Sequence, residues 1–282
     1  MKKLIAVLNL ISIIFLIAWN GYANTGNYNG KTVGELSAEY NNLFTPASYA
    51  FSIWGGLIFL MLLVFGIYGV YIAFAKAKQS QPTDYREDFL KTTAPWFLLA
   101  NIFCSAWVAF WLDEMVGISV ICMLGILVSL LICVKKLDME IWDAPFPIIA
   151  FVWWPLCLYV GWISVATIAN IAAWLNGNFD FAITTQVYAT MVMIFIAFVV
   201  NMAMVVYRNM REFALVGVWA LVAIFMRFNE PMDSLSKLAT NQIAYLALGL
   251  ACVLAIAIAI HGSRNKKTNP YRKCMEWRDS NK

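Results

Sequence analysis

Long apolar runs alternate with short polar joints along this chain. Eight runs stand out, at about 4–20, 47–75, 95–112, 115–134, 147–175, 185–207, 213–228 and 241–261. Each approaches the ~20 apolar residues that an α-helix needs to cross a bilayer core. Backbone amides find no water there, so a spanning run satisfies them by coiling into a helix. The pattern predicts an all-α integral membrane protein of about eight transmembrane helices. The joints are too short for a separate soluble domain, so function resides in the bundle or at its mouths.

Polar positions inside the runs carry more information than the runs themselves. The fifth contains Tyr159-x-x-Trp162-x-x-x-Ala166-x-x-x-Asn170. These spacings place the four residues within roughly 80° of arc on one helical face. The amide and the phenol need partners that lipid does not offer. One reading is packing glue, since a mid-membrane Asn bonded to a neighbouring helix contributes about 1 kcal/mol or less. The other is a cavity wall. The third run repeats the theme with Asn101 and Ser105, four apart on one face. The second opens at Pro46, where a missing N–H costs nothing, and crowds Tyr49, Phe51 and Trp54 at that end. They read as an interfacial aromatic belt or as the rim of a cavity. Pro155, after Trp153 and Trp154, predicts a kink in the fifth helix.

The long polar stretch 20–46 predicts an external loop with a short amphipathic helix around Val33–Tyr40, either a lid or a solvated loop. In the eighth run Ala247, Ala251, Ala255 and Ala259 recur at steps of four, a stripe that permits close helix contact within the protein or in a homodimer.

Composition agrees with the pattern: 62% hydrophobic, 13% charged, mean hydropathy +0.72. Charge adds an orientation. Of the 20 Lys and Arg, 17 fall at the termini and the even-numbered joints, and only Lys31, Arg227 and Lys237 on the other side. The positive-inside rule then places both termini in the cytoplasm and supports an even number of helices. The first run has a second reading, as a signal peptide cleaved near Gly21-Tyr22-Ala23, which leaves seven helices. The basic tail beyond His261 suits anionic lipid headgroups rather than nucleic acid.

Several chemistries have no residues to carry them. No Asp, Glu or Lys falls in the middle of a run, where ion and proton carriers place them. The single His and the loop carboxylates form no catalytic triad, so no catalytic residues and no enzyme are expected. The six Cys show no zinc spacing and read as buried apolar groups, with no metal site. Asp84, Glu87 and Asp88, interleaved with Arg86 and Lys91, read as a solvated loop.

The motifs of the second, third and fifth runs, in this order, resemble those of the tryptophan-rich sensory protein family, also called the translocator protein (TspO) or peripheral benzodiazepine receptor family. The fifth-helix motif matches at Tyr159, Trp162, Ala166 and Asn170, and the third at Asn101 and Ser105, with Cys104 where the family often has Trp. The second-helix motif, carried by Tyr49, Phe51 and Trp54, is one residue short and lacks its second proline. The resemblance implies a five-helix bundle over residues 1–175, with the external loop 20–46 capping an apolar cavity. It leaves 176–282 as a three-helix extension with a basic cytoplasmic tail. It implies a receptor, sensor or carrier for planar hydrophobic ligands, such as porphyrin or haem and sterol-like molecules, in a bacterial cytoplasmic membrane, with no cofactor required. Tyr49, Phe51, Trp54, Asn101, Ser105, Tyr159, Trp162, Ala166 and Asn170 are the expected ligand-binding residues. The alternatives are a secondary transporter of small hydrophobic solutes and a non-catalytic structural or regulatory membrane protein.

Overall fold

The computed structural model describes residues 1–40, 42–75, 86, 88–228, 235–264 and 270–280. All eight apolar runs are helical, with ends within a few residues of those expected. In chain order the helices are α1 (Lys2–Ala23), α2 (Val33–Glu39), α3 (Ser48–Phe74), α4 (Phe89–Thr93), α5 (Trp96–Leu112), α6 (Val116–Lys136), α7 (Phe146–Asn178), α8 (Ile183–Arg208), α9 (Arg211–Phe228), α10 (Lys237–Arg264) and α11 (Pro270–Ser280). Six of them, α1, α3, α6, α7, α8 and α10, are long and apolar enough to cross a membrane. The 17-residue α5 is shorter. The 18-residue α9 carries Arg211, Glu212 and Arg227. Among the described residues, six helices of full length and hydropathy therefore stand against the expected count of eight spans.

Five helices close a ring, in which α1 packs on α3 and α5, α5 on α6, α6 on α7, and α7 back on α3. The other side of α7 packs against α9, and α9 packs in turn on α8 and α10. So α7 is the central post, with 78% of its most apolar stretch buried against 28% for α1, α8 and α10. A hydropathy profile cannot separate these cases, because a lipid-facing helix and a buried one are equally apolar.

Glycines set the closest approaches. A Cβ on Gly161 of α7 would sit 3.0 Å from the Phe213 carbonyl oxygen and 3.2 Å from its Cα, both backbone atoms of α9. A Cβ on Gly217 of α9 would collide with the Asn201 amide of α8. Close approach of this kind, through small residues, is how helices gain packing energy in lipid. The alanine stripe of α10 is split. Ala247 and Ala251 are buried against the α9 side, whereas Ala255 and Ala259 are exposed.

Pro155 acts much as its chemistry demands. The turn before it, Ile149–Trp153, is widened to a π-helical turn, which accommodates a missing donor in the ladder. A second π turn, Trp54–Ile58, includes Gly55 and Gly56 near the start of α3. Of the acidic cluster at 84–88, Asp84 and Glu87 lie outside the described residues, while Asp88 pairs with Lys2 at 3.0 Å and Lys91 at 3.4 Å.

Candidate functional site

Inside the ring, beneath the first loop, lies a cavity of about 380 Å³, walled by α1, α3, α5, α6 and α7 and roofed by α2. That volume falls in the lower part of the range for small-molecule sites, about 300–1,000 Å³. Its lining includes no Asp, Glu, Lys, Arg or His among the described residues; the polar groups are the amides of Asn20, Asn24, Asn42 and Asn170 and the hydroxyls of Ser37 and Ser52.

The walls are aromatic. On α5, Trp107 and Trp111 stack with centroids 6.0 Å apart and planes 17° from parallel. Trp162 of α7 meets Phe51 edge-on at 5.8 Å. Trp54 packs on Tyr159 at 5.5 Å and on Phe59 at 5.2 Å. Ala166, one turn above Trp162, keeps the α7 wall shallow.

Of the nine expected residues, Phe51, Trp54, Trp162, Ala166 and Asn170 line this cavity, and Tyr49, Asn101, Ser105 and Tyr159 do not. Tyr49 turns outward onto Trp219 of α9, at 5.3 Å. The Asn101 amide donates to Ser12 Oγ at 2.9 Å, and Ser105 Oγ donates to the Asn101 carbonyl. Trp19 of α1 donates to the Ser105 carbonyl at 3.0 Å. The polar face of α5 therefore joins it to α1. Tyr159 is fully buried below the cavity, its hydroxyl beside the Cys104 thiol. Asn170 does both jobs weighed for it. Its Oδ1 accepts from Trp107 Nε1 at 2.8 Å and its Nδ2 donates to Ser119 Oγ at 3.0 Å, tying α5, α6 and α7 together at the cavity edge.

Two contributors were missed in the sequence. Asn20, at the end of the first apolar run, accepts from Trp54 Nε1 at 3.2 Å and so fixes that ring. The pair Trp107-x-x-x-Trp111 did carry a signal, since indoles four apart share a helical face.

The roof is fastened at two ends. At one end Tyr28 donates to Asp113 at 3.1 Å, Asn29 to the Leu112 carbonyl at 2.6 Å, and Lys31 pairs with Glu39 at 2.6 Å and Glu114 at 3.6 Å. At the other, Arg227 of α9 donates to the carbonyls of Asn42 at 2.7 Å and Thr45 at 2.6 Å. The Ala47 amide donates to Ala223, and Trp219 to the Ala50 carbonyl. Helix α9 thus holds the loop that closes the cavity and the start of α3.

Within the roof, α2 starts on a reciprocal cap. The Thr32 amide donates to the Glu35 carboxylate at 2.8 Å, and the Glu35 amide to Thr32 Oγ1 at 3.2 Å. The Thr32 amide and hydroxyl hold the Glu35 carboxyl below its ordinary value. A lowered carboxyl stabilises the cap above its unfolded-state pKa, and the contribution is lost as pH falls through the lowered value. Amide exchange of α2, corrected for its intrinsic pH dependence, should accelerate at acid pH. Glu35→Gln, which keeps a capping side chain, should flatten that acceleration; an unchanged pH profile in the variant would remove the cap as its cause.

The sequence profile of the TSPO-like protein family matches residues 6–260. The chain belongs to the TSPO-like family. The match runs through α8, α9 and most of α10, well beyond residue 175, where the motif resemblance ends. No curated protein and no solved structure matches the chain. Family and helices together make it an integral membrane protein with a sensor- or transporter-type role.

Proposed function

We propose that this TSPO-like protein is a receptor or carrier that binds planar hydrophobic molecules, porphyrin- or haem-like tetrapyrroles above all, in the cavity under α2. The observation that carries the reading is an uncharged cavity walled by indoles, with the stacked Trp107–Trp111 pair on one side and Trp162 on the other. Flat aromatic ligands gain about 0.5–1.5 kcal/mol per ring contact beyond the area they bury. The rim amides of Asn24 and Asn42 suit the polar edge of such a ligand. Among the described residues the lining holds no charged group and so no acid–base pair for catalysis, which favours binding over turnover. The charge asymmetry supports a cytoplasmic membrane with both termini inside and the roofed mouth outside. The exposed half of the alanine stripe, Ala255 and Ala259, is the face we assign to a homodimer.

Protoporphyrin IX added to the purified protein in detergent should quench tryptophan fluorescence saturably. Trp162→Ala should weaken the apparent affinity about tenfold, equivalent to about 1.4 kcal/mol. Quenching that is non-saturable, or unchanged in both Trp162→Ala and Trp107→Ala, would overturn the assignment. Flux of the same porphyrin into proteoliposomes separates a carrier from a receptor.

A further inference from the structure

At the opposite, basic end of the bundle a second group of side chains stands apart from the cavity. Glu140 in the joint 137–145, Cys157 of α7 and Glu212 in the first turn of α9 bring two carboxylate oxygens and a thiol sulfur within 4.8 Å of one another. Glu140 is only 4% exposed, and neither of its oxygens accepts a hydrogen bond among the described residues. One Glu212 oxygen is likewise buried and unbonded, and Cys157 is fully buried. A buried carboxylate without hydrogen bonds is costly, and proteins place one where a proton or a cation completes it.

We infer that Glu140, Cys157 and Glu212 form a site for a divalent transition-metal ion of the zinc class. Three observations converge on that chemistry. A thiolate with two carboxylates suits a borderline ion such as Zn²⁺, whereas Mg²⁺ and Ca²⁺ take oxygen ligands alone. The charges balance: two carboxylates and a thiolate beside the Arg211 guanidinium leave two negative charges, which one divalent cation neutralises. The spacing is close to that required. Ligands at about 2.0–2.3 Å from a tetrahedral ion lie roughly 3.3–3.8 Å apart, a contraction that glutamate rotamers can supply. The ligands come from a joint and two helices far apart in sequence, so no spacing motif announces them. A bound ion would clasp the 137–145 joint to α7 and α9.

Full-length protein in detergent, stripped with chelator and dialysed against Co²⁺, should bind one equivalent and show the near-ultraviolet sulfur-to-cobalt charge-transfer band. Zn²⁺ should displace the cobalt and raise the unfolding temperature in a dose-dependent way. Cys157→Ser should abolish the band. Glu140→Gln, which lies outside the spanning helices, should weaken zinc at least about tenfold while the size-exclusion profile stays that of the parent. Absence of stoichiometric binding overturns the inference. So does a band that survives Cys157→Ser, which points to Cys252 or Cys274, or zinc affinity unchanged in a well-folded Glu140→Gln protein. Porphyrin quenching, read at the other end of the bundle, is independent of all these outcomes.

Discussion

Arg227→Met should unfasten the roof of the cavity without unfolding the bundle. Arg227 gives two charge-assisted hydrogen bonds to the carbonyls of Asn42 and Thr45. Bonds to a charged donor contribute about 1.5–3 kcal/mol each, and their loss leaves two carbonyls in a partly buried turn without these donors. Methionine keeps much of the apolar stem but loses the guanidinium, whose Cζ lies 5.8 Å from the Phe228 ring centroid, so the loss is mainly polar. Opening of the loop should become at least about a hundredfold more frequent, at roughly 1.4 kcal/mol per factor of ten. Hydrogen exchange over residues 42–47 reads this directly, and on the proposed function the porphyrin off-rate should rise with it. Exchange no faster than in the parent would mean that the Ala47–Ala223 and Trp219–Ala50 bonds hold the segment on their own. Arg227→Lys should rescue only part of the effect, because a point charge cannot reproduce the guanidinium fork that serves two acceptors.

Gly161→Leu should be the most disruptive single change in the bundle. The new side chain would meet the Phe213 backbone, which cannot rotate away, so α7 and α9 must separate along their contact. Overpacking a tight core costs about 1–3 kcal/mol, and more where backbone has to move. The unfolding temperature should fall, and because α9 holds the roof, exchange at 42–47 should rise as well. Gly161→Ala provides the graded control. Its Cβ requires a shift of only a few tenths of an ångström, so a loss well below that of leucine is expected. Equal losses for alanine and leucine would show that helix propensity or another strain, rather than the α7–α9 contact, governs the position.

Much of this architecture is written in the sequence because the bilayer allows few alternatives. A run of ~20 apolar residues in lipid has one satisfactory backbone solution, so helix positions follow from hydropathy alone. The short helix Val33–Glu39 was readable from its amphipathic pattern and lies beneath a Thr32–Glu35 cap. The motif of α7 placed Trp162, Ala166 and Asn170 on one face, and that face lines the cavity. The same rule of spacing put Tyr159 on the stripe, but 3.6-residue periodicity fixes only an azimuth. Tyr159 lies lower on α7, buried under Trp54, where the cavity has ended.

The polar residues of α5 show the other limit. Asn101 and Ser105 share a face, as their spacing requires, but that face turns to α1, and nothing in the chain says which neighbour a helical face will meet. The cavity wall of α5 is instead Trp107 and Trp111. The function of the C-terminal helices was equally hidden. They looked like an appendix because their motifs are only small residues, yet Arg227, Trp219 and Ala223 hold the loop over the cavity across more than 160 positions of sequence.

By itself, then, the sequence determined what one-dimensional periodicity and lipid solvation can specify: helices, their order, and which residues share a face. The tertiary structure decided which faces meet: Trp107 beside Asn170, Arg227 under the roof, Glu140 beside Cys157 and Glu212. The reason is physical. Helix formation is satisfied within each segment, whereas the choice of neighbour rests on close packing at a few glycines and on polar groups that find partners only when distant segments arrive.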